Sequence, residues 1–349
     1  MIELSERQRI ILALIVRDYI ETAQPVGSLR LVDDFKLEMS SATVRNEMAV
    51  LTELGYLRQP HTSAGRVPTE EGYRYFVARV VYPADLPETA RHTITHQFYQ
   101  ARRDVDEWMP LAASILASQS KAASLITAPH ADRSGFKHLE LISTQGRQVL
   151  MVLVLVGGEV SQQLLTLAEP VVQEQLSTAA TRLNQVCAGK TIDEIAALTP
   201  RPDVLEKDIL NLILQDMNQG EQRVSGDIYL DGLTNVLSEP EFLESDDVRR
   251  AVRLFEERSL LQELLVRTMA NGHMGAVQVV IGGEGKWEEL KQCSVVMARY
   301  GIPGVASGAL GVFGPMRMAY SRTIPTVRFM ADLLSGLVSE TMVGDDTYA

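Results

Sequence analysis

Cysteine is almost absent: Cys187 and Cys293 are the only two in 349 residues, and neither has a Cys or His neighbour at metal-ligand spacing. That excludes a disulfide scaffold and a thiolate zinc site, and it suits a reducing cytoplasm. Long hydrophobic runs are also missing. Nothing approaches the roughly 20 apolar residues of a membrane span. The run from Ile10 to Val16 is followed at once by Asp18 and Glu21 and lacks a small-residue cleavage site, so it is no leader peptide. A soluble, cytoplasmic protein with no membrane partner is expected. Catalytic signatures are wanting too. The six histidines, at 61, 92, 96, 130, 138 and 273, form no HExxH pattern, and no serine stands in a GxSxG elbow. Gly282-Gly283-Glu284-Gly285 has neither the strand-to-helix setting nor the Lys-Ser/Thr of a phosphate loop, and reads as a sheet turn. His92 and His96 share a helical face but lack a third ligand, so a solvated face is the better reading. An enzyme is not expected, and neither is a metal or a cofactor.

An excess of positive charge is missing as well: the net charge is −12. Its distribution is informative. Residues 1–80 carry ten basic and eleven acidic side chains, so the acidity belongs to the rest of the chain. Between Arg58 and Arg79 four arginines face only Glu70 and Glu71. An acidic body with a neutral, arginine-bearing head disfavours indiscriminate coating of nucleic acid and favours a specific site. Hydrophobic residues at 46% are ample for packed cores in two or three domains.

The head carries the sharpest local signals. Ser5 with Gln8 forms a capping box ahead of Ile11, Leu14, Ile15 and Tyr19, predicting a helix over about 5–21. Pro25-Val26-Gly27 breaks it, and Ser28 is expected to cap a second helix ending near Phe35. After a turn at Lys36–Met39, Ser40 or Ser41 caps a third helix. On that helix Val44, Met48, Leu51 and Leu54 form a core stripe, while Ala42, Asn46, Ala49 and Glu53 face away, with Arg45 beside them. Small residues at 42 and 49 permit close approach to base edges. Arg45 and Asn46 offer bidentate partners for guanine and adenine, and Ser41 and Thr43 can reach phosphate or base. The competing reading is an ordinary solvated face. A polar hairpin shifts the balance: His61, Thr62, Ser63 and Gly65 lie at or near its tip, with Arg58 and Arg66 on its arms for phosphate or minor-groove contact. Gly65 is expected to supply a positive φ there. Thr69 then caps a fourth helix bearing Tyr73, Phe76, Val77 and Val80. The pattern is that of a winged helix-turn-helix, whose second helix enters the major groove.

The segment MSSATVRNEMAVLTELGYLRQPHTSAGRVPTEEGYRYFV, from Met39 to Val77, closely resembles the signature of the HrcA family of bacterial heat-inducible transcription repressors. Gly311-Val312-Phe313-Gly314-Pro315-Met316-Arg317-Met318-Ala319-Tyr320 is similar to that family's C-terminal GxxGPxRMxY segment. The resemblance implies a multidomain α+β chain. Residues 1–82 would be the winged helix-turn-helix DNA-binding domain and 83–123 a helical linker. Residues 124–168 and 226–344 would form a GAF-like sheet domain, with 169–225 an inserted, α-rich dimerisation domain. It also implies a homodimer that binds a CIRCE-type inverted-repeat operator in double-stranded DNA upstream of groE- and dnaK-type chaperone operons, dependent on the GroEL chaperonin. Two alternatives remain: a metabolite-responsive repressor with an effector in the GAF-like domain, and a module whose winged helix contacts protein.

The body adds coarser expectations. Strands are predicted at 139–143 and 149–156, the second apolar throughout and hence covered on both faces. Helices follow at 174–187 and 202–219, a strand at 228–232, and a long helix at 246–271. Strands at 276–282, 293–300 and 308–313 precede a last helix at 322–339. Arg317 is expected to pair with a carboxylate.

Overall fold

A computed structural model describes residues 4–62, 64–79, 85–100, 105–131, 135–156, 160–167, 169–197, 204–222, 227–242, 273–282 and 290–342, with a few single residues between 252 and 265. The first helix, α1 (Glu6–Thr22), starts on the anticipated capping box: Ser5 Oγ accepts from the Gln8 N–H at 3.3 Å, and Gln8 Oε1 accepts from the Ser5 N–H at 3.0 Å. Helix α2 (Ser28–Phe35) departs from expectation. Gly27, not Ser28, holds the cap position, and Ser28 is a buried first-turn residue. Lys36, at φ 50°, ends that helix. Helix α3 (Ser41–Glu53) is capped by Ser40, whose Oγ accepts from the Thr43 N–H at 3.1 Å. Two-residue strands β1 (Leu57–Arg58) and β2 (Val67–Pro68) pair antiparallel. Thr69 then caps α4 (Glu70–Arg79), accepting from the Gly72 N–H at 3.1 Å.

Two helices, α5 (Glu88–Gln100) and α6 (Val105–Ser120), lead into the body. On this connector Gln97 is exposed, and residues 101–104 lie outside the described set. The larger sheet runs β8–β3–β11–β10–β9 and is antiparallel at every described pairing. Its strands are β3 (Ala123–Thr127), β8 (Ile228–Asp231), β9 (Val277–Ile281), β10 (Cys293–Ile302) and β11 (Ala306–Pro315); β4 (His130–Ala131) pairs with β11. Every residue of β11 is buried, as its central place requires. A short helix α10 (Leu233–Leu237) follows β8, and the closing helix α11 (Tyr320–Met342) packs on β10 and α6. One hydrophobic core runs unbroken from Ile11, Leu51 and Phe76 of the head through Ile281 and Tyr320 to Val327 and Met330 of the body. The helix expected at 246–271 lies almost wholly outside the described residues.

The grouping of strands corrects the sequence reading. Strands β5 (Phe136–Ser143), β6 (Gln148–Leu155) and β7 (Val160–Thr166) pair only with one another, in an antiparallel three-stranded sheet. They were expected to share the larger sheet; of residues 124–168 only the stretch up to 131 does so. Their buried face, with Phe136, Leu139, Met151 and Leu153, packs against Leu176, Leu183, Ile213 and Met217. Those residues belong to α7 (Gln173–Cys187) and α9 (Val204–Gln222), which flank the short α8 (Ile192–Ala196). Two amides pin α7 to β5. Asn184 accepts from the Leu139 N–H at 2.7 Å and donates to the Leu139 carbonyl at 2.9 Å; Gln173 accepts from the Ser143 N–H at 2.7 Å and donates to the Leu141 carbonyl at 2.8 Å. A border at 168/169 would cut this unit in two.

Strand β6 also departs from expectation. Its burial alternates: Val149, Met151, Leu153 and Leu155 are buried, while Leu150, Val152 and Val154 are only half-buried. Register places Ile142, Leu150 and Leu164 in one cross-strand row and His138, Val154 and Val160 in another. Ile142, Leu164 and Val160 are 44%, 55% and 53% exposed, so among the described residues this face shows exposed apolar side chains at either end, with the exposed Glu140 and Gln162 flanking Val152 between them.

Candidate nucleic-acid interface

Helix α3 sits on the head's core through Val44, Met48 and Leu51, with Leu54 partly buried beside them. That seating turns Ala42, Arg45 and Asn46 outward; all three are exposed, and Ala49 is half-buried among them. Ser41 and Thr43 are half-exposed in the first turn, and the Thr43 hydroxyl lies 2.9 Å from Ser40 Oγ, so it also serves the cap. Glu47, on the flank, accepts from Gln8 Nε2 at 3.1 Å and fixes α3 to α1.

The hairpin is held by partners distant in sequence. Val26 and Arg66 exchange backbone hydrogen bonds of 2.9 and 2.8 Å, tying the second arm to the loop between α1 and α2. Gly65 is needed for this approach and not for a left-handed turn: its φ is not positive, but a Cβ there would meet the Val26 carbonyl oxygen at 2.3 Å. Arg66 Nε donates to Thr52 Oγ1 at 3.0 Å, linking hairpin and α3. Gln59, which sequence reading passed over, donates from Nε2 to the carbonyls of Thr62 (2.9 Å) and Ala64 (3.0 Å) and closes the tip. A glutamine two residues before a turn could have signalled this, but nothing in the sequence says where an amide points.

Arg45, Thr62, Gly65 and Arg66 thus line one groove of about 380 Å³, together with Gly27, Ser28 and Gln59. His61 is exposed at the tip, and Ser63 is outside the described residues. Arg58 is not brought to this groove. It is exposed, yet it lines a separate hollow with Tyr19, Tyr73, Glu241 and Arg317, between head and body. Nearby, Arg30 Nη2 meets Asp18 Oδ1 at 2.6 Å. Burial pushes the Asp18 carboxyl up from its ordinary value, and Arg30 pulls the other way. Burial likewise raises Tyr19, with Glu241 adding to it.

Among the described residues no helix is long and apolar enough to cross a membrane, and no cluster of three or more His, Cys, Asp or Glu could hold a metal. Both cysteines are buried. The model of the HrcA protein C-terminal domain matches residues 106–324. The heat-inducible transcription repressor HrcA of Roseiflexus castenholzii is 43% identical over 346 residues, spanning 97% of this chain and 95% of its own. This chain belongs to the HrcA family. The repressor of the same name from Thermomicrobium roseum is 38% identical over 349 residues, with 99% and 98% covered. A crystal structure described as a hypothetical protein at 2.2 Å resolution is similar over 97% of this chain and 100% of its own, with a TM-score of 0.62 and 26% identity. The HrcA domain model starts within α6, whereas the full-length relatives also cover the head.

Proposed function

We propose that this HrcA-family chain is a transcription repressor of heat-shock chaperone operons of the groE and dnaK type, with no enzymatic activity of its own. Its head, residues 1–82, acts as a winged helix-turn-helix: α3 enters the major groove and the β1–β2 hairpin is the wing. The observation that carries this reading is the exposed Ala42–Arg45–Asn46–Ala49 face beside the groove of Arg45, Thr62 and Arg66. Small residues let the helix in, Arg45 and Asn46 read base edges, and Ser41, Thr43, His61, Thr62, Ser63 and Arg58 supply backbone or groove contacts. Arg66 has a double part, since it also holds the wing to Thr52. The larger sheet serves as a GAF-like domain.

The target is a CIRCE-type inverted repeat, read by a homodimer whose two heads take one half-site each. The exposed Ile142, Leu164 and Val160 on one face of β5–β6–β7 support dimerisation through the inserted unit, because a second copy would bury them. Binding should weaken linearly in log–log terms as salt rises, by counterion release. Arg45→Ala and Asn46→Ala should each reduce operator discrimination by about 1–3 kcal/mol while leaving nonspecific binding nearly unchanged. Titrating operator and scrambled duplexes with each variant is the check; unchanged discrimination in both would remove α3 from the reading role.

Activity depends on the chaperonin GroEL, as the family resemblance implies. When unfolded proteins occupy the chaperonin, active repressor falls and the chaperone operons are released. Denatured protein refolded with chaperonin should regain more operator binding than protein refolded alone, and equal recovery would reject the dependence.

A further inference from the structure

The C-terminal segment Gly311–Tyr320 has so far no part in reading DNA, yet it meets the DNA-binding head. Arg317, its side chain only 12% exposed, reaches three partners. Its Nε donates to Glu241 Oε1 at 2.5 Å, its Nη2 to Glu239 Oε2, and its Nη1 to the Ile20 carbonyl at 3.3 Å. The carboxylates follow the short helix Leu233–Leu237, at the single 3-10 turn Pro240–Phe242, so both belong to the body. Ile20 belongs to the last turn of α1 in the head. Helix C-termini leave carbonyls without intrahelical partners and carry partial negative charge. No basic residue lies in α1's own last turn. The body therefore supplies, through Arg317, the cation that α1 lacks.

Among the described residues, few other directed links cross the seam. Arg74 Nη2 donates to the Ile281 carbonyl at 3.1 Å, and the rings of Tyr73 and Tyr320 lie 6.2 Å apart. Between these contacts is a hollow of about 490 Å³. Tyr73 Oη and one oxygen of Glu241 are buried at the seam without a hydrogen-bond partner. The seam thus combines a continuous apolar core, which holds head to body without fixing a direction, with a hollow edged by unmet polar atoms, so a few directed bonds set the angle. Arg317 is the most buried of the guanidinium groups making them, so its bonds are the least screened by solvent. Movement at Ile20 would pass along α1 to α3, because Gln8 is bonded to Glu47 and α1 packs against α3.

We infer that Arg317 is a positioning residue: it fixes the angle at which the DNA-reading head is carried on the body. It thereby sets the separation and direction of the two α3 helices in the dimer. The inference rests on the dimeric operator-binding reading above. Half-sites of an inverted repeat lie a fixed distance apart, and two tethered heads gain from each other only when both can engage at once. Loosening the seam leaves each head able to read its half-site but dilutes the second event.

The experiment compares wild type, Arg317→Ala, Arg317→Lys and Glu241→Gln on two duplexes, one with the complete inverted repeat and one with a single half-site. Arg317→Ala should lose about 10-fold or more on the complete repeat while changing less than about 3-fold on the half-site. Arg317→Lys keeps the charge but not the fork and should fall between. Glu241→Gln should show the same selective loss more weakly, and it serves if Arg317→Ala does not fold. A spacer lengthened by two base pairs should penalise wild type more than Arg317→Ala. Equal loss on both duplexes is what simple destabilisation gives and would overturn the inference, as would no loss on either. Wild type that shows no preference for the complete repeat would overturn the dimeric reading, and this inference with it.

Discussion

Gly65→Ala should destabilise the protein by about 3 kcal/mol and abolish operator binding. The added methyl would stand 2.3 Å from the Val26 carbonyl oxygen, 2.5 Å from its carbon and 2.8 Å from the Val26 nitrogen. All three are backbone atoms, so no rotamer change relieves the clash; the wing or the α1–α2 loop must move. Either movement breaks the paired hydrogen bonds between Val26 and Arg66. Arg66 would then leave Thr52, and the groove it shares with Arg45 would open. Thermal unfolding of the full chain and a gel-shift titration check this together. A variant with unchanged melting temperature and unchanged affinity would show that the wing is not held as described.

Leu164→Lys should turn the proposed dimer into a monomer and reduce affinity for the complete inverted repeat by about 10²- to 10⁴-fold. Leu164 is 55% exposed in the single chain, next to Leu150 and in the same row as Ile142. A lysine there can reach water in the monomer, so the fold itself should lose little. Facing a second copy, the same charge would be taken out of water opposite apolar side chains, which costs far more than the leucine contact returns. Sedimentation velocity reads the association state, and circular dichroism reads the fold. A Leu164→Lys protein that stays dimeric would place the interface elsewhere.

What could be read from sequence was whatever depends on near neighbours. The Ser5–Gln8 box, the Ser40 cap and the Val44–Met48–Leu51 stripe each lie within a few turns of helix, so the residues themselves define them. Arg317 was correctly assigned a carboxylate partner, but Glu239 and Glu241 lie 78 and 76 residues away, and only folding reveals that Ile20 joins them. Gly65 was correctly linked to the hairpin for the wrong reason, because the atom that forbids a side chain belongs to Val26. The uniform apolarity of β6 suggested cover on both faces. Its described neighbours bury one, and a run of valine and leucine looks the same whether one face is packed or both. Sheet membership of residues 136–166 was illegible for a related reason: strand pairing is chosen by contacts that local composition does not encode.

The unbroken core from Ile11 to Met330 has a thermal consequence. A reading head that leans on the body for its packing has no melting point of its own. Warming that loosens α11 also withdraws the Tyr320 ring from beside Tyr73, so head and body should unfold along one curve. For domains of 150–250 residues, about 1 kcal/mol corresponds to about 2–4 °C near the midpoint. Calorimetry of the full chain should therefore show head and larger sheet leaving the native state in a single endotherm, with no early transition belonging to residues 4–79.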